Sequence, residues 1–349
     1  MNTSSEHSAL LRACLSDQDF LEINLRDWEQ IQEIETIDYA TMRLIPYLYR
    51  KSLSHSIHMR DEGICKGLYL RAWYLLQTQG VPSEKWVIQN MDVSQCILLK
   101  GAALQKTIYS EDPPTRPADD LDLLVHPGYV ENSFEILRQA GFSSDSWLSP
   151  EGFRRLRHGG NFYGNGLNVD LHWQLIPVSL DPKFTNRLFE RASKLSSGIS
   201  VLSPTDNLFH TLVHGFGANE IAPIRWVVDA AELIRREEID WQLFWCEVGR
   251  TGMQKLVKAQ VRTLESFGVS VPKVRGIRMQ TSLPISISVL FLGTEGRYLR
   301  RVLRLLGYDF AVWAQHAGVT PSTLNYYRHL TRWLANTRAE WKEYRSART

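Results

Sequence analysis

Asp120 and Asp122 stand two residues apart in a run whose other members, Leu121, Leu123, Leu124 and Val125, have the composition of a buried strand. Successive strand side chains point to opposite faces, so the two acids share one face while Leu121 and Leu123 share the other. A third acid, Asp170, lies in a second alternating run, where Val169, Leu171 and Trp173 face one way and Asp170, His172 and Gln174 the other. Close carboxylates repel one another and lose hydration unless they are protonated, paired with a base or bridged by a divalent metal. Oxygen ligands favour magnesium or manganese, which take their remaining ligands from water and substrate phosphates. Phosphoryl or nucleotidyl transfer is the chemistry to which these acids point.

The elements that must position them are legible on either side. Cys96 to Leu99 is a short apolar strand that breaks at Lys100-Gly101 and resumes with helical character through Tyr109. A strand that ends in glycine and opens a helix puts backbone N–H groups where an anion could sit, although Lys100-Gly101 alone fits a plain turn equally well. It is not a P-loop, because Gln105 stands where that motif needs glycine. Three prolines between Glu111 and Pro117 make a loop that delivers the chain to the acidic strand. After a turn at His126-Pro127-Gly128, Val130, Phe134, Leu137 and Ala140 mark a helix ending at Gly141. Gly164-Asn165-Gly166 reads as a hairpin turn joining Asn161 onward to the strand that carries Asp170.

Helical periodicity fills the flanks. Leu10, Leu11, Cys14 and Leu15, then Met42, Ile45, Leu48 and Tyr49, then Leu68, Leu70, Trp73 and Leu76 recur at helical steps before Asn90. Ser203-Pro204-Thr205-Asp206 caps another helix, in which His210 and His214 share a face. No glutamate follows the first histidine and no third ligand is evident, so structural or substrate-contacting histidines are favoured over a zinc site. Arg225 and Asp229, four apart, read as an ordinary helix ion pair.

The chain of 349 residues has a formal net charge of +2, which does not advertise a polyanion as partner. Residues 297–349 nevertheless hold ten Lys/Arg against three acids, spaced as a solvated helical face. Four cysteines without a CxxC spacing fit buried thiols in a reducing compartment. The N-terminus lacks a secretory pattern, and the longest apolar run, Ile285 to Leu292, is too short to span a bilayer. A cytoplasmic location without membrane attachment is expected.

Leu98-Leu99-Lys100-Gly101, Asp120-Leu121-Asp122-Leu123-Leu124-Val125 and Val169-Asp170-Leu171-His172-Trp173 together resemble the DNA polymerase beta-type nucleotidyltransferase superfamily. More narrowly, they resemble its uncharacterised bacterial nucleotidyltransferase family, over roughly residues 95 to 235. The resemblance implies an α+β fold, a small mixed β-sheet nucleotidyltransferase core flanked by N- and C-terminal helical regions. The expected divisions are 1–90, 91–200 and 201–349. It also implies Asp120, Asp122 and Asp170 as the catalytic metal ligands, with Asp119 as the alternative in register. Lys100, Gly101, Arg116 and His172 are the candidates for contact with the nucleotide.

The activity implied is transfer of a nucleoside monophosphate from an NTP, with Mg2+ or Mn2+, to a hydroxyl or phosphate acceptor, releasing pyrophosphate. Asp170 would share a metal and help deprotonate the acceptor. A small-molecule or protein acceptor is favoured over nucleic acid. The competing readings are a metal-dependent glycosyltransferase using Asp-x-Asp, and a catalytically inactive protein that binds a nucleotide or a partner.

Overall fold

The structure is a computed structural model that describes residues 4–144, 158–176, 179, 181–215 and 224–274. Six helices precede the first strand: α1 (Ser5–Leu15), α2 (Gln18–Ile31), α3 (Tyr39–Met42), α4 (Ile45–Ser54), α5 (Glu62–Leu75) and α6 (Val81–Asn90). Leu76–Gly80 forms a π-helical turn between the last two. Side-chain caps start α1 and α3, where Ser4 accepts from the His7 N–H and Asp38 from that of Thr41.

The core then runs through β1 (Cys96–Leu98), α7 (Lys100–Lys106), β2 (Leu121–Val125), α8 (Val130–Gln139), β3 (Ser143–Ser144), β4 (Gly159–Gly164), β5 (Leu167–His172), α9 (Phe184–Arg191), β6 (Ser193–Lys194) and β7 (Ser200–Val201). Helices α10 (Pro204–His214), α11 (Arg225–Arg236), α12 (Trp241–Thr251) and α13 (Gln254–Ser266) follow. The strands make one mixed sheet in the order β3-β4-β5-β2-β1-β7-β6. Asn165 and Gly166, both at positive φ, form the two-residue turn between β4 and β5, the geometry that matches strand twist in a hairpin. This is the mixed α+β fold expected of the sequence, while the basic stretch from Arg297 to Arg348 lies outside the described residues.

Strand alternation divides the core in two. Leu98, Leu121, Leu123, Val125, Val169, Leu171 and Trp173 pack on one side with α6 and α8 residues such as Val87 and Leu137. On the other side Ile97, Leu99 and Leu124 join a larger cluster, in which Leu11, Leu25 and Leu48 of the N-terminal helices meet Leu208, Val227 and Phe244 of the C-terminal ones. Burying these side chains supplies the main favourable term for folding. Even-numbered positions of β2 and β5 therefore face the layer of flanking helices, and the acids are on that face.

Candidate functional site

Strands β2 and β5 pair in parallel, with Asp122 opposite Asp170 and Leu124 opposite His172. The period of two then carries Asp122, Asp170 and His172 to the helix-facing side of the sheet. Nε2 of His172 lies 2.9 Å from Oδ2 of Asp170 and 3.3 Å from Oδ1 of Asp122. Lys100, at the turn between β1 and α7, donates from Nζ to Asp122 and lies 3.4 Å from Oδ2 of Asp170. The turn is tied to β2 by the Leu99 N–H, which donates to the Asp122 carbonyl at 3.0 Å.

Lys100 adopts φ +47°, a left-handed conformation that a lysine rarely takes. Such a residue costs about 1–3 kcal/mol and persists only where its surroundings fix it, commonly at functional sites. Here the carboxylates fix it. Burial works against the ammonium, but Asp122 and Asp170 outweigh burial and raise its pKa. Burial and Lys100 likewise oppose a charge on His172, and its contacts with Asp170 and Asp122 leave its pKa raised. The Asp170 carboxyl, despite burial, is held below its usual range by His172 and Lys100. Asp120 ends up the other way: burial first, then Asp122 and Asp170, push it up to about 6 against the pull of Lys100.

Asp120 and Asp122 open into a cavity of about 230 Å³ lined also by Lys100, Gly101, Arg43, Arg116, Arg225 and Asp229, among others. Its roof comes from outside the sheet, with Tyr39 and Arg43 at α3, His210 and His214 on α10, and Trp226 on α11. A second cavity, about 200 Å³, also borders Asp120 and is lined by Gln77 and Gln79 of the π-helical turn, Gln105 and Asn168, among others. Asp120 belongs to both.

Asp120, Asp122 and Asp170 thus meet in space, but unequally. Asp122, Asp170 and His172 place ligand atoms within 4.8 Å of one another, a grouping that does not include Asp120, which immediately precedes β2. His172, a candidate from the sequence for contact with the nucleotide, lies with Nε2 against both Asp170 and Asp122. Asp119 is exposed, accepts from the Tyr39 hydroxyl and lies 3.5 Å from Arg43, so it does not take the place of Asp120. Arg116 reaches the cavity, yet its Nε donates to both oxygens of buried Asp229, at 3.0 and 2.9 Å. That contact overturns the helix ion pair read between Arg225 and Asp229. Asp229 instead accepts from Arg116 and from Tyr109, while Arg225 donates to the carbonyls of Thr115 and Pro117 at 3.1 and 3.2 Å.

Gly101 has a steric role that can be tested. A Cβ there would lie 2.6 Å from Cβ of Ala118, so only glycine lets α7 approach the loop leading to β2. Gly101→Ala is expected to cost about 1–3 kcal/mol through overpacking, seen as a lower urea midpoint. An unchanged midpoint would show that the loop yields freely.

His210 is buried, and burial followed by His214 pushes its pKa well below the ordinary value, which keeps it neutral. His210 and His214 both line the cavity, and among the described residues neither joins a cluster of three metal-ligating groups. Tyr39, Arg43, Trp226 and Arg225 escaped that reading as site residues. For Arg225 there was a signal, because a cation in the first turn of a helix sits at the positive end of the macrodipole and calls for an anion nearby.

Two carboxylates and an imidazole on one side of the sheet form a donor set suited to a divalent cation. The Lys100 ammonium between the two carboxylates marks the place as one that takes positive charge. The donors therefore fit the metal that the acidic motif implies.

Residues 93–267, half of the chain, match the model of a family described as an uncharacterised nucleotidyltransferase. No curated protein and no solved structure matches the chain. Among the described residues no helix is long and apolar enough to cross a membrane.

Proposed function

The chain belongs to the uncharacterised nucleotidyltransferase family, and we propose that it transfers a nucleoside monophosphate from an NTP to a hydroxyl or phosphate of a small-molecule or protein acceptor, releasing pyrophosphate. The observation that carries this reading is the parallel register of Asp122 and Asp170, which brings two carboxylates from different strands to one buried point beside His172. Asp120, Asp122 and Asp170 would hold Mg2+ or Mn2+, the ions that carboxylate oxygens suit. Such an ion supplies charge stabilisation for an in-line displacement at phosphorus. Lys100, Gly101, Arg116 and His172 border the nucleotide on this reading.

The chain's own groups supply the rest. Asp170 would take the proton of an acceptor hydroxyl, and His172 and Lys100, which hold its pKa down, keep its carboxylate ionised. His172 holds that carboxylate in position through Nε2. The sheet behind the acids, with Leu123 and Leu171 fully buried, excludes water from one side of the site.

Lys100 supports a second reading. An ammonium shared by Asp122 and Asp170 is also what a protein that binds nucleotide without turnover could use in place of a metal. The two readings part on heat stability. For the transferase, magnesium or manganese with ATP raises the melting temperature, because a ligand of the folded state shifts unfolding by mass action. Asp120→Asn and Asp122→Asn abolish the rise. Stabilisation by ATP that is indifferent to both divalent cation and these substitutions would favour binding without turnover.

A further inference from the structure

Three residues that line the cavity beside Asp120 and Asp122 each hold a buried N–H donor without an acceptor among the described residues. Nε of Arg225, Nε of Arg43 and Nε1 of Trp226 are each buried without a hydrogen-bond partner among the described residues, and all three residues line this cavity. Arg225 is 8% and Trp226 4% exposed. Orphaned donors are costly, more so on a charged group.

The charges there are unevenly matched. Arg116 is neutralised by Asp229 and Lys100 by Asp122 and Asp170, while Arg43 has, among the described residues, only the exposed Asp119 at 3.5 Å. Arg225 has no carboxylate within ion-pair distance among the described residues, and its Nη atoms rest on the carbonyls of Thr115 and Pro117. The same Pro117 carbonyl accepts from Arg43 at 3.2 Å and Arg116 at 2.9 Å, so three guanidinium groups converge on one edge of the cavity. The N-terminus of the twelve-residue helix α11, which begins at Arg225, adds its partial positive charge.

A ligand that answers this arrangement is rich in acceptor oxygens, has no donors of its own, and carries several negative charges within reach of Asp120 and Asp122. We propose that the cavity is the polyphosphate subsite of the nucleotide, and that Arg43, Arg225 and Trp226 hold the β- and γ-phosphates that leave as pyrophosphate. The inference rests on the nucleotidyl-transfer reading and adds three residues to it. Guanidinium forks match phosphate oxygens, and charged donors make the stronger hydrogen bonds.

Calorimetric titration of the full chain with inorganic tripolyphosphate, ATP and AMP, in magnesium, tests this. Arg225→Gln and Arg43→Gln should each weaken tripolyphosphate and ATP by a similar factor, about tenfold or more, and shift AMP by less than about twofold. Arg225→Lys should recover part of the loss, and Arg43→Gln, at a partly exposed position, decides the matter if Arg225→Gln fails to fold. Tripolyphosphate should also displace ATP. The subsite is overturned if the parent chain ignores tripolyphosphate, if AMP weakens as much as ATP, or if neither substitution changes tripolyphosphate affinity. ATP binding undiminished by saturating tripolyphosphate would overturn it too, and would assign the cavity to a phosphate of the acceptor. Tripolyphosphate binding that needs Arg225 in a chain that transfers nothing would keep the subsite and sink the transfer reading. Transfer with tripolyphosphate affinity indifferent to both arginines would do the reverse.

Discussion

Asp170→Asn should leave the chain folded and reduce transfer by about 10²–10⁴-fold or more, the loss associated with a positioned base together with a metal ligand. Asparagine keeps the size of the side chain but loses the charge that faces Asp122 in register. Folding survives because Val169, Leu171 and Trp173 still bury the opposite face of β5. Nucleotide binding persists in part through Asp120 and Asp122. Turnover decides the matter, with circular dichroism as the control for folding. A folded variant with near-parental turnover would reduce Asp170 to a partner for Lys100 and His172.

Lys100→Met should lower the stability of the metal-free chain by about 3–5 kcal/mol, the cost of removing one partner from a buried charge pair. The Asp122 side chain is only 5% exposed and that of Lys100 19%, so solvent screens the pair little. Without the ammonium, Asp122 and Asp170 face each other with only His172 between them. Added magnesium or manganese should then raise the melting temperature of the variant more than that of the parent, because the cation no longer competes with a resident charge. Equal gains in both proteins would mean that Lys100 and the cation do not contend for the same carboxylates. A variant as stable as the parent in EDTA would mean that the pairing of Lys100 with Asp122 and Asp170 contributes no net stability.

Much of this centre could be read from periodicity. Alternation in β2 and β5 puts Asp122, Asp170 and His172 on one face, and Asn165-Gly166 fixes the hairpin that sets the register of β5. What alternation cannot say is which helices cover that face. Arg43 and Arg225 come from segments 182 positions apart, and helical spacing tells which side of each helix is apolar but not what it packs against. The local rule for Arg225 and Asp229 failed for the same reason. Arg116, distant in sequence, offers Asp229 a two-oxygen contact inside the core, and the loop carbonyls claim Arg225. Lys100 was legible as a turn residue but not as a counter-charge, because its reach to Asp122 goes with a left-handed backbone that sequence does not announce for a lysine.

The central claim is that these carboxylates support nucleotidyl transfer and not merely binding. Its most direct measurement uses ATP labelled at the α-phosphate, offered with cell metabolites, proteins and RNA as acceptors, following both the label and the pyrophosphate. The account predicts label on an acceptor and pyrophosphate in equal amounts, in magnesium or manganese but not in EDTA, and neither with Asp122→Asn. A folded parent chain that binds ATP and metal yet releases no pyrophosphate with any of these acceptors would contradict it.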